Sequence, residues 1–224
     1  MISVIIPTLN EEHNIGRCIE SIRSDRAIHE IIVADGGSSD KTVDIAESHG
    51  GIRVIRTEKG RGTQMNKGAA FAGGDIFLFL HADTYLERGW YNEIMSCLCE
   101  PSIAAGAFTF RIDSPESYYR LIEYWVKFRC VVLNLPYGDQ GIFVRREVFE
   151  SLGGYKNIPL MEDVDLVERM KKVGPIKMLR KEAYIHSRKW DEEGWIRRSF
   201  LNQMIMIRYR LGADPERLAK LYYQ

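Results

Sequence analysis

The chain predicts an α/β fold: a doubly wound, mostly parallel sheet with helices on both faces. Three observations carry that expectation. Short β-branched runs, SVIIP (3–7), EIIVAD (30–35), IRVIR (52–56) and IFLFL (76–80), read as buried parallel strands. Stretches of helical periodicity separate them, the βαβ rhythm of right-handed crossovers. And 224 residues, 45% apolar and 28% charged, supply a core for one domain spanning 1–224.

The elements follow in order. Residues 11–24 carry Ile15, Cys18, Ile19 and Ile22 at i, i+3, i+4 and i+7, with Asn10 as the expected N-cap. Residues 41–48, capped by Asp40, and 63–72, ended by Gly73-Gly74, give the next two crossovers. The second half is less regular. AAGAFTFRI (104–112) reads as a strand, 116–134 as a long aromatic helix, GIFVRR as a strand and 162–173 as a helix. IKMLRKEAYIHS reads as a last strand, and helices over 192–211 and 214–223 close the chain.

Composition sets limits on function. Lysine plus arginine total 31, and so do aspartate plus glutamate, so nothing predicts a nucleic-acid partner held by bulk charge. The four cysteines show no metal-ligand spacing and fit free thiols in a reducing cytoplasm. MISVIIPTLN runs straight into a strand without a basic leader, and no apolar run approaches the ~20 residues of a membrane helix. The expectation is a cytoplasmic protein, with peripheral membrane contact left open.

Ligands of open α/β sheets bind beyond the carboxyl ends of the strands. Here the four strands end in PTLNEE, DGGSSD, EKGRGTQMNKG and HAD. Asp35 reads either as a turn cap or as an acceptor for a base N–H or ribose hydroxyl. Glu11 faces a ligand or complements a helix dipole, and Gly60-Arg61-Gly62 is a basic hairpin or a phosphate clamp. His81 and Asp83, two apart around Ala82, leave the same face of a strand. A carboxylate there suits a divalent cation bridging to phosphates. Further on, Glu162, Asp163 and Asp165 crowd a helix start. Dipole complementarity on a solvated face accounts for Asp165; Glu162-Asp163 suits a general base.

In this order, PTLNEE, DGGSSDKT, LHAD, GDQG and MEDVDL resemble the family 2 glycosyltransferases of GT-A fold, over nearly the whole chain. GRGTQMNKGAAFAGGD, FLHADT and the ending HSRKW…YRLGADPERLAKLY resemble a narrower bacterial branch associated with radical-SAM, selenodomain or arsenosugar gene sets. The resemblance implies a Rossmann-like GT-A sheet, with residues 1–100 as the nucleotide-sugar half and 101–224 as the acceptor half, C-terminal helices included. It implies that Pro7, Thr8, Asn10 and Glu11 line the nucleotide pocket, that Asp35 holds the base, and that Arg61 and Asn66 lie near the sugar–diphosphate. Asp83 becomes the principal ligand of Mg2+ or Mn2+ in the family's Asp-x-Asp motif. Gly138, Asp139 and Gln140 shape the sugar and acceptor pocket, and Asp163 is the catalytic base with Glu162 supporting it. Two departures stand out: His81 replaces the first Asp of Asp-x-Asp, and HSRKW only loosely matches a Gln-x-x-Arg-Trp element. Arg188 and Lys189 are expected at the diphosphate and Trp190 near the acceptor. His186 is either a metal ligand or a plain strand-end histidine.

The implied reaction is metal-dependent, inverting transfer from a nucleotide-diphosphate sugar, UDP-linked before GDP-linked, to a hydroxyl acceptor that is a small molecule or lipid-linked. A sugar-nucleotide pyrophosphorylase is the competing enzyme, but it carries a Gly-rich phosphate loop where this chain has PTLNEE. A non-catalytic nucleotide-sugar-binding protein is the third account, and Asp83 with Glu162-Asp163 argues against it. Helix 116–134 reads first as core, with an acceptor groove or a homodimer surface as its other readings. Helix 192–211 reads as packing over the acceptor pocket before resting on an anionic membrane.

Overall fold

The computed structural model describes residues 1–25, 30–187, 190–191 and 194–223. Its first half is the parallel layer that the apolar runs predict. β1 (Ile2–Thr8), β2 (Glu30–Asp35), β3 (Ile52–Arg56) and β4 (Ile76–Phe79) are joined through α1 (Ile15–Arg23), α2 (Thr42–Ser48) and α3 (Arg61–Phe71). β1 lies between β2 and β4, parallel to both, and all seven of its residues are buried. Its side chains divide by parity. Ile2, Val4 and Ile6 join the core containing the α1 stripe Ile15, Cys18, Ile19 and Ile22, while Ile5 joins the opposite core with Met65 and Ala69 of α3. The chain builds outward from β1 to β2 and β3, then returns to β4 on the other side. That reversal opens a crevice at the carboxyl ends of β1 and β4. β3, expected to be buried, is instead the edge strand, with Ile52, Val54 and Ile55 half-buried and Arg53 and Arg56 exposed.

Beyond β4 the sheet becomes mixed. β7 (Ile142–Arg145) runs antiparallel to β4 and to β6 (Ala105–Asp113), β8 (Ile176–His186) runs parallel to β6, and β5 (Thr84–Leu86) closes the edge antiparallel to β8. Among the described residues the eight strands stand in the order β3-β2-β1-β4-β7-β6-β8-β5. Helices α4 (Trp90–Leu98), α5 (Tyr119–Leu133), α6 (Arg146–Ser151), α7 (Glu162–Met170), α8 (Trp195–Arg210) and α9 (Pro215–Tyr222) complete the fold. A 3-10 turn, Gly138–Gln140, precedes β7.

Several local expectations need correcting. α1 begins at Ile15, and Asn10 is not its cap: Asn10 sits at φ 56, where its Oδ1 accepts the Ser39 N–H at 2.9 Å and so ties the β1 loop to the β2 loop. Asp40 does serve α2, but from one residue before the cap position, accepting the Thr42 N–H at 3.0 Å. Gly60-Arg61-Gly62 forms no hairpin; α3 starts at Arg61. Asp165 is not on a solvated face: it is 8% exposed and ion-paired to Lys156 and Arg169, each at 2.6 Å.

The reading of 116–134 as core holds on one side only. Tyr119, Ile122 and Cys130 are buried, whereas Tyr124 is 63%, Trp125 58% and Val131 72% exposed. The buried side of α5 is pinned to β6 by Glu123, which accepts the Ile112 N–H at 2.8 Å and pairs with Arg111 and Arg120. The open side faces α8.

Candidate active site

Residues that follow β4 and β8 meet others from the 3-10 turn and α7 at one cleft of about 120 Å³. Asp83 and His81, just past β4, line it together with Asp139 of the 3-10 turn, Asp163 of α7, and His186 at the end of β8. The last two reach it by different devices. His186 arrives through strand pairing, its N–H donating to the Asp83 carbonyl at 3.2 Å. Asp163 is aimed by Met161, a buried non-glycine residue held at φ 67 just before α7. Such a left-handed conformation is disfavoured for a side-chain-bearing residue and persists only where its surroundings impose it.

The Asp163 carboxylate is fixed by two backbone donors. Gly138 N–H donates to Oδ2 at 2.7 Å and Val164 N–H to Oδ1 at 2.8 Å. A carboxylate has about four lone-pair sites, so capacity is left for a hydroxyl donor from the cleft. The approach at Gly138 is close: a Cβ there would stand 3.0 Å from His81 Nε2 and 3.2 Å from Asp163 Oδ2, so both side chains would have to give. That one glycine therefore lies against both the imidazole and the carboxylate.

Beneath Asp163, Glu162 is 1% exposed and pairs through Oε1 with Arg61 Nε at 2.8 Å. Its Oε2 has no hydrogen-bond partner among the described residues. Burial raises the Glu162 carboxyl above its usual range against the pull of Arg61, and the Glu162 charge in turn holds the Arg61 guanidinium protonated. Arg61 lines the cleft as well, so one cation joins the start of α3 to the acidic start of α7.

Asp83, His186, His81 and Asp163 all line the cleft that a divalent cation would enter. Among the described residues no group of three or more His, Cys, Asp or Glu is arranged to hold a metal by itself. That fits an ion completed by substrate oxygens and water, which is how Mg2+ is ordinarily held, and it does not fit a closed structural site.

Other expected residues are built into the scaffold. The Asp35 carboxylate, 2% exposed, is committed to its own turn: it accepts Gly37 N–H at 3.0 Å, Ser38 N–H at 3.1 Å and Ser38 Oγ at 2.5 Å, with Thr8 Oγ1 at 3.3 Å. Pro7, Thr8, Asn10, Glu11 and Asp35 stand at the ends of β1 and β2, outside the described lining of the cleft, and Ala82 lines an adjoining recess behind Asp83. Asn66 does not reach the cleft; both ends of its amide are bonded to the Tyr155 backbone at 2.8 Å. Gln140 is likewise buried, donating to the Phe108 carbonyl at 3.0 Å while its oxygen accepts Tyr137 N–H. Arg188 and Lys189 lie outside the described residues. Trp190 lines the cleft, 9% exposed, and packs edge-on against Phe110.

The cleft also contains side chains that sequence reasoning did not single out. Tyr137, Arg198, Asn202 and Tyr222 line it. Burial pushes the Tyr137 hydroxyl up to about 12. Arg198 is 5% exposed, bonds to the Tyr222 hydroxyl and stacks over that ring at 4.2 Å, joining α8 to α9. A signal existed in the i, i+4 spacing of Arg198 and Asn202, which puts both on the inner face of α8.

The model of the glycosyl transferase family 2 domain matches residues 3–186. The chain belongs to that family. A "PGL/p-HBAD biosynthesis glycosyltransferase" of Mycobacterium tuberculosis is 41% identical over 93 residues, 38% of this chain and 36% of that protein. "Glycosyltransferase AglE" of Haloferax volcanii is 25% identical over 171 residues, 70% of this chain and 56% of the other. The chain thus spans between about a third and just over half the length of these curated relatives. Among solved structures, S. aureus TarS 1-349 superposes with a TM-score of 0.67 at 18% identity, covering 92% of this chain and 64% of that one. Glucosyl-3-phosphoglycerate synthase from Mycobacterium tuberculosis, solved with Mn2+, uridine-diphosphate and phosphoglyceric acid, gives 0.62 at 20% identity over 83% of this chain and 69% of that one. These neighbours share the GT-A fold, and the chain has the mixed α/β architecture expected from its strands.

Proposed function

We propose that this glycosyltransferase moves a sugar from a UDP-sugar to a hydroxyl acceptor with inversion at the anomeric carbon, assisted by Mg2+ or Mn2+. The carrying observation is that Asp83 and Asp163 face one cleft at the carboxyl edge of the sheet. UDP is favoured because a TarS structure holds UDP-GlcNAc and the phosphoglycerate synthase holds UDP. The association with radical-SAM and selenodomain or arsenosugar gene sets, and a cytoplasmic, membrane-peripheral setting, belong to the same reading. No helix among the described residues is long and apolar enough to cross a membrane.

In this mechanism the donor diphosphate lies beside Asp83 and His186, which would hold the cation. When bound, the cation neutralises charge on the departing diphosphate. Asp163, oriented by the Gly138 and Val164 N–H groups, takes the proton of the acceptor hydroxyl. The acceptor oxygen forms its bond to the anomeric carbon from the face opposite the diphosphate. The bond from that carbon to the diphosphate oxygen breaks, and UDP leaves. Arg61 pairs with Glu162 behind Asp163 and ties the start of α7 to the start of α3, so the segment that carries the base is held in place.

The test is Asp163→Asn, which keeps the shape and removes the base. Transfer, read as UDP release across a panel of UDP-sugars and simple acceptors, falls by about 10²–10⁴-fold, while the thermal shift with UDP is retained. Undiminished transfer in that variant would refute the assigned role. Release of pyrophosphate in place of UDP would refute the reaction.

A further inference from the structure

A second, larger cavity of about 570 Å³ adjoins the cleft, between the open side of α5 and the outer side of α8. Its walls are overwhelmingly apolar: Leu121, Trp125, Phe128 and Val132 from α5 face Ile196 and Phe200 from α8. Those six side chains are between 49% and 71% exposed, a contiguous greasy surface that water disfavours. The cavity is continuous with the cleft. Tyr137, Asp139, Trp190 and Asn202 line both.

The junction differs in chemistry from the groove. Trp190 Nε1, Tyr137 Oη and Asn202 Oδ1 are buried there without a hydrogen-bond partner among the described residues, and so is Ser199 Oγ on the groove wall. Trp190 is itself nine-tenths buried. Orphaned buried polar atoms cost free energy unless something meets them, and here they ring a throat that leads to Asp163. Polar throat and apolar trough together describe an amphiphile.

Resting on the transferase reading, we propose that the acceptor is an amphiphilic lipid: its hydroxyl-bearing head occupies the throat beside Asp163, and its alkyl or isoprenoid chain lies in the α5–α8 groove. Continuity with the catalytic cleft selects this occupant over a second copy of the chain. A partner helix would cover the trough but would leave the buried indole, phenol and amide groups of the throat unmet.

The groove carries its own reporters. Of the four tryptophans, Trp125, Trp190 and Trp195 line it. Tryptophan fluorescence is titrated with methyl, hexyl, octyl and decyl β-D-glucosides, each below its micelle concentration. Burial of a methylene is worth roughly a fourfold gain in affinity, so each two-carbon extension tightens binding by about tenfold or somewhat more. Phe200→Asp and Val132→Asp change exposed positions, 71% and 57% accessible, and leave the fold intact by circular dichroism. Each lowers octyl and decyl glucoside affinity at least about tenfold, yet retains the UDP thermal shift.

Affinity independent of chain length, or unchanged in both variants, overturns the proposal while the UDP shift leaves the transferase reading standing. Sedimentation showing a dimer that both substitutions dissociate, with no alkyl glucoside competition, overturns it in favour of self-association. Loss of UDP binding by the unsubstituted protein overturns the transferase reading itself, and this assignment with it.

Discussion

Arg61→Met isolates the ion pair beneath the proposed base. The Glu162 side chain is only 2% accessible and its folded carboxyl already sits above the ordinary value of 4.5, whereas Arg61 is 38% accessible. Removing one member of a buried pair ordinarily costs about 3–5 kcal/mol, because the other charge is left without compensation. Water reaching the partly open Arg61 side reduces this to about 2–3 kcal/mol. For a domain of this size that lowers Tm by roughly 4–12 °C. The sign of the pH dependence follows from burial. The native state binds the Glu162 proton more tightly than the unfolded chain does, so the stability linked to it is present below the unfolded pKa and is lost as pH rises through the folded one. Arg61 opposes that loss in the unsubstituted protein. The variant therefore resembles the parent near about pH 5 and falls behind it near about pH 8. Thermal unfolding by circular dichroism at both values measures the difference, and adding Glu162→Gln to the variant restores most of it. An equal deficit at both pH values, or no recovery in the double variant, would refute the reasoning.

Three further outcomes follow from single contacts. Asp83→Ala weakens Mn2+-dependent UDP binding by about tenfold or more in calorimetry, while metal-free UDP binding is little changed; equal effects with and without metal would remove Asp83 from the ion site. Gly138→Ala pushes His81 and Asp163 by a few tenths of an ångström, since the new methyl stands 3.0 and 3.2 Å from them. Turnover drops by about tenfold or more with Tm lowered by only a few degrees, and unchanged turnover would show that the Gly138 contact does not position the base. Gly106→Ala is structural: its methyl would lie 2.2 Å from Phe143 Cζ and 2.5 Å from the Lys177 carbonyl, where β6 is crossed by its neighbours. Urea unfolding shows a loss of about 3 kcal/mol or more, with no selective effect on UDP affinity in the protein that remains folded.

What could be read in advance follows a physical division. β1, β2 and β4 are covered on both faces, so their apolar runs are nearly unbroken, and α1 carries its stripe on one face; both signals are local. β5 has three residues and α6 six, too few for either period to register. α4 buries only Trp90, Ile94 and Leu98, one residue per turn, a stripe too thin to stand out. Asp83 and Asp163 were legible because each sits in a short motif at an element boundary. Their sharing of one cleft depends on β7 pairing beside β4 and on β6 and β8 extending the sheet beyond it, which no local pattern encodes. Asp35 and Asn66 show the converse. Both lie in the motifs, yet their polar atoms are taken up by backbone N–H and C=O groups of adjacent loops, because buried loop amides need partners.

The same logic explains why the C-terminal helices were the hardest part to interpret. Helix α8 mixes arginines with aromatic and branched residues, and sequence alone does not separate a membrane-facing helix from one that covers a pocket. Arg198 turns inward to Tyr222 and the cleft, while Phe200 and Ile196 turn outward to α5. One helix therefore contributes a charged wall to the candidate cleft and an apolar wall to the adjoining groove, with Asn202 at their shared edge. A substitution on either face should report on one cavity without the other. Loss of octyl glucoside binding with an intact UDP response, or the reverse, would reveal that separation, whereas a joint loss would mean that α8 acts as a single lid.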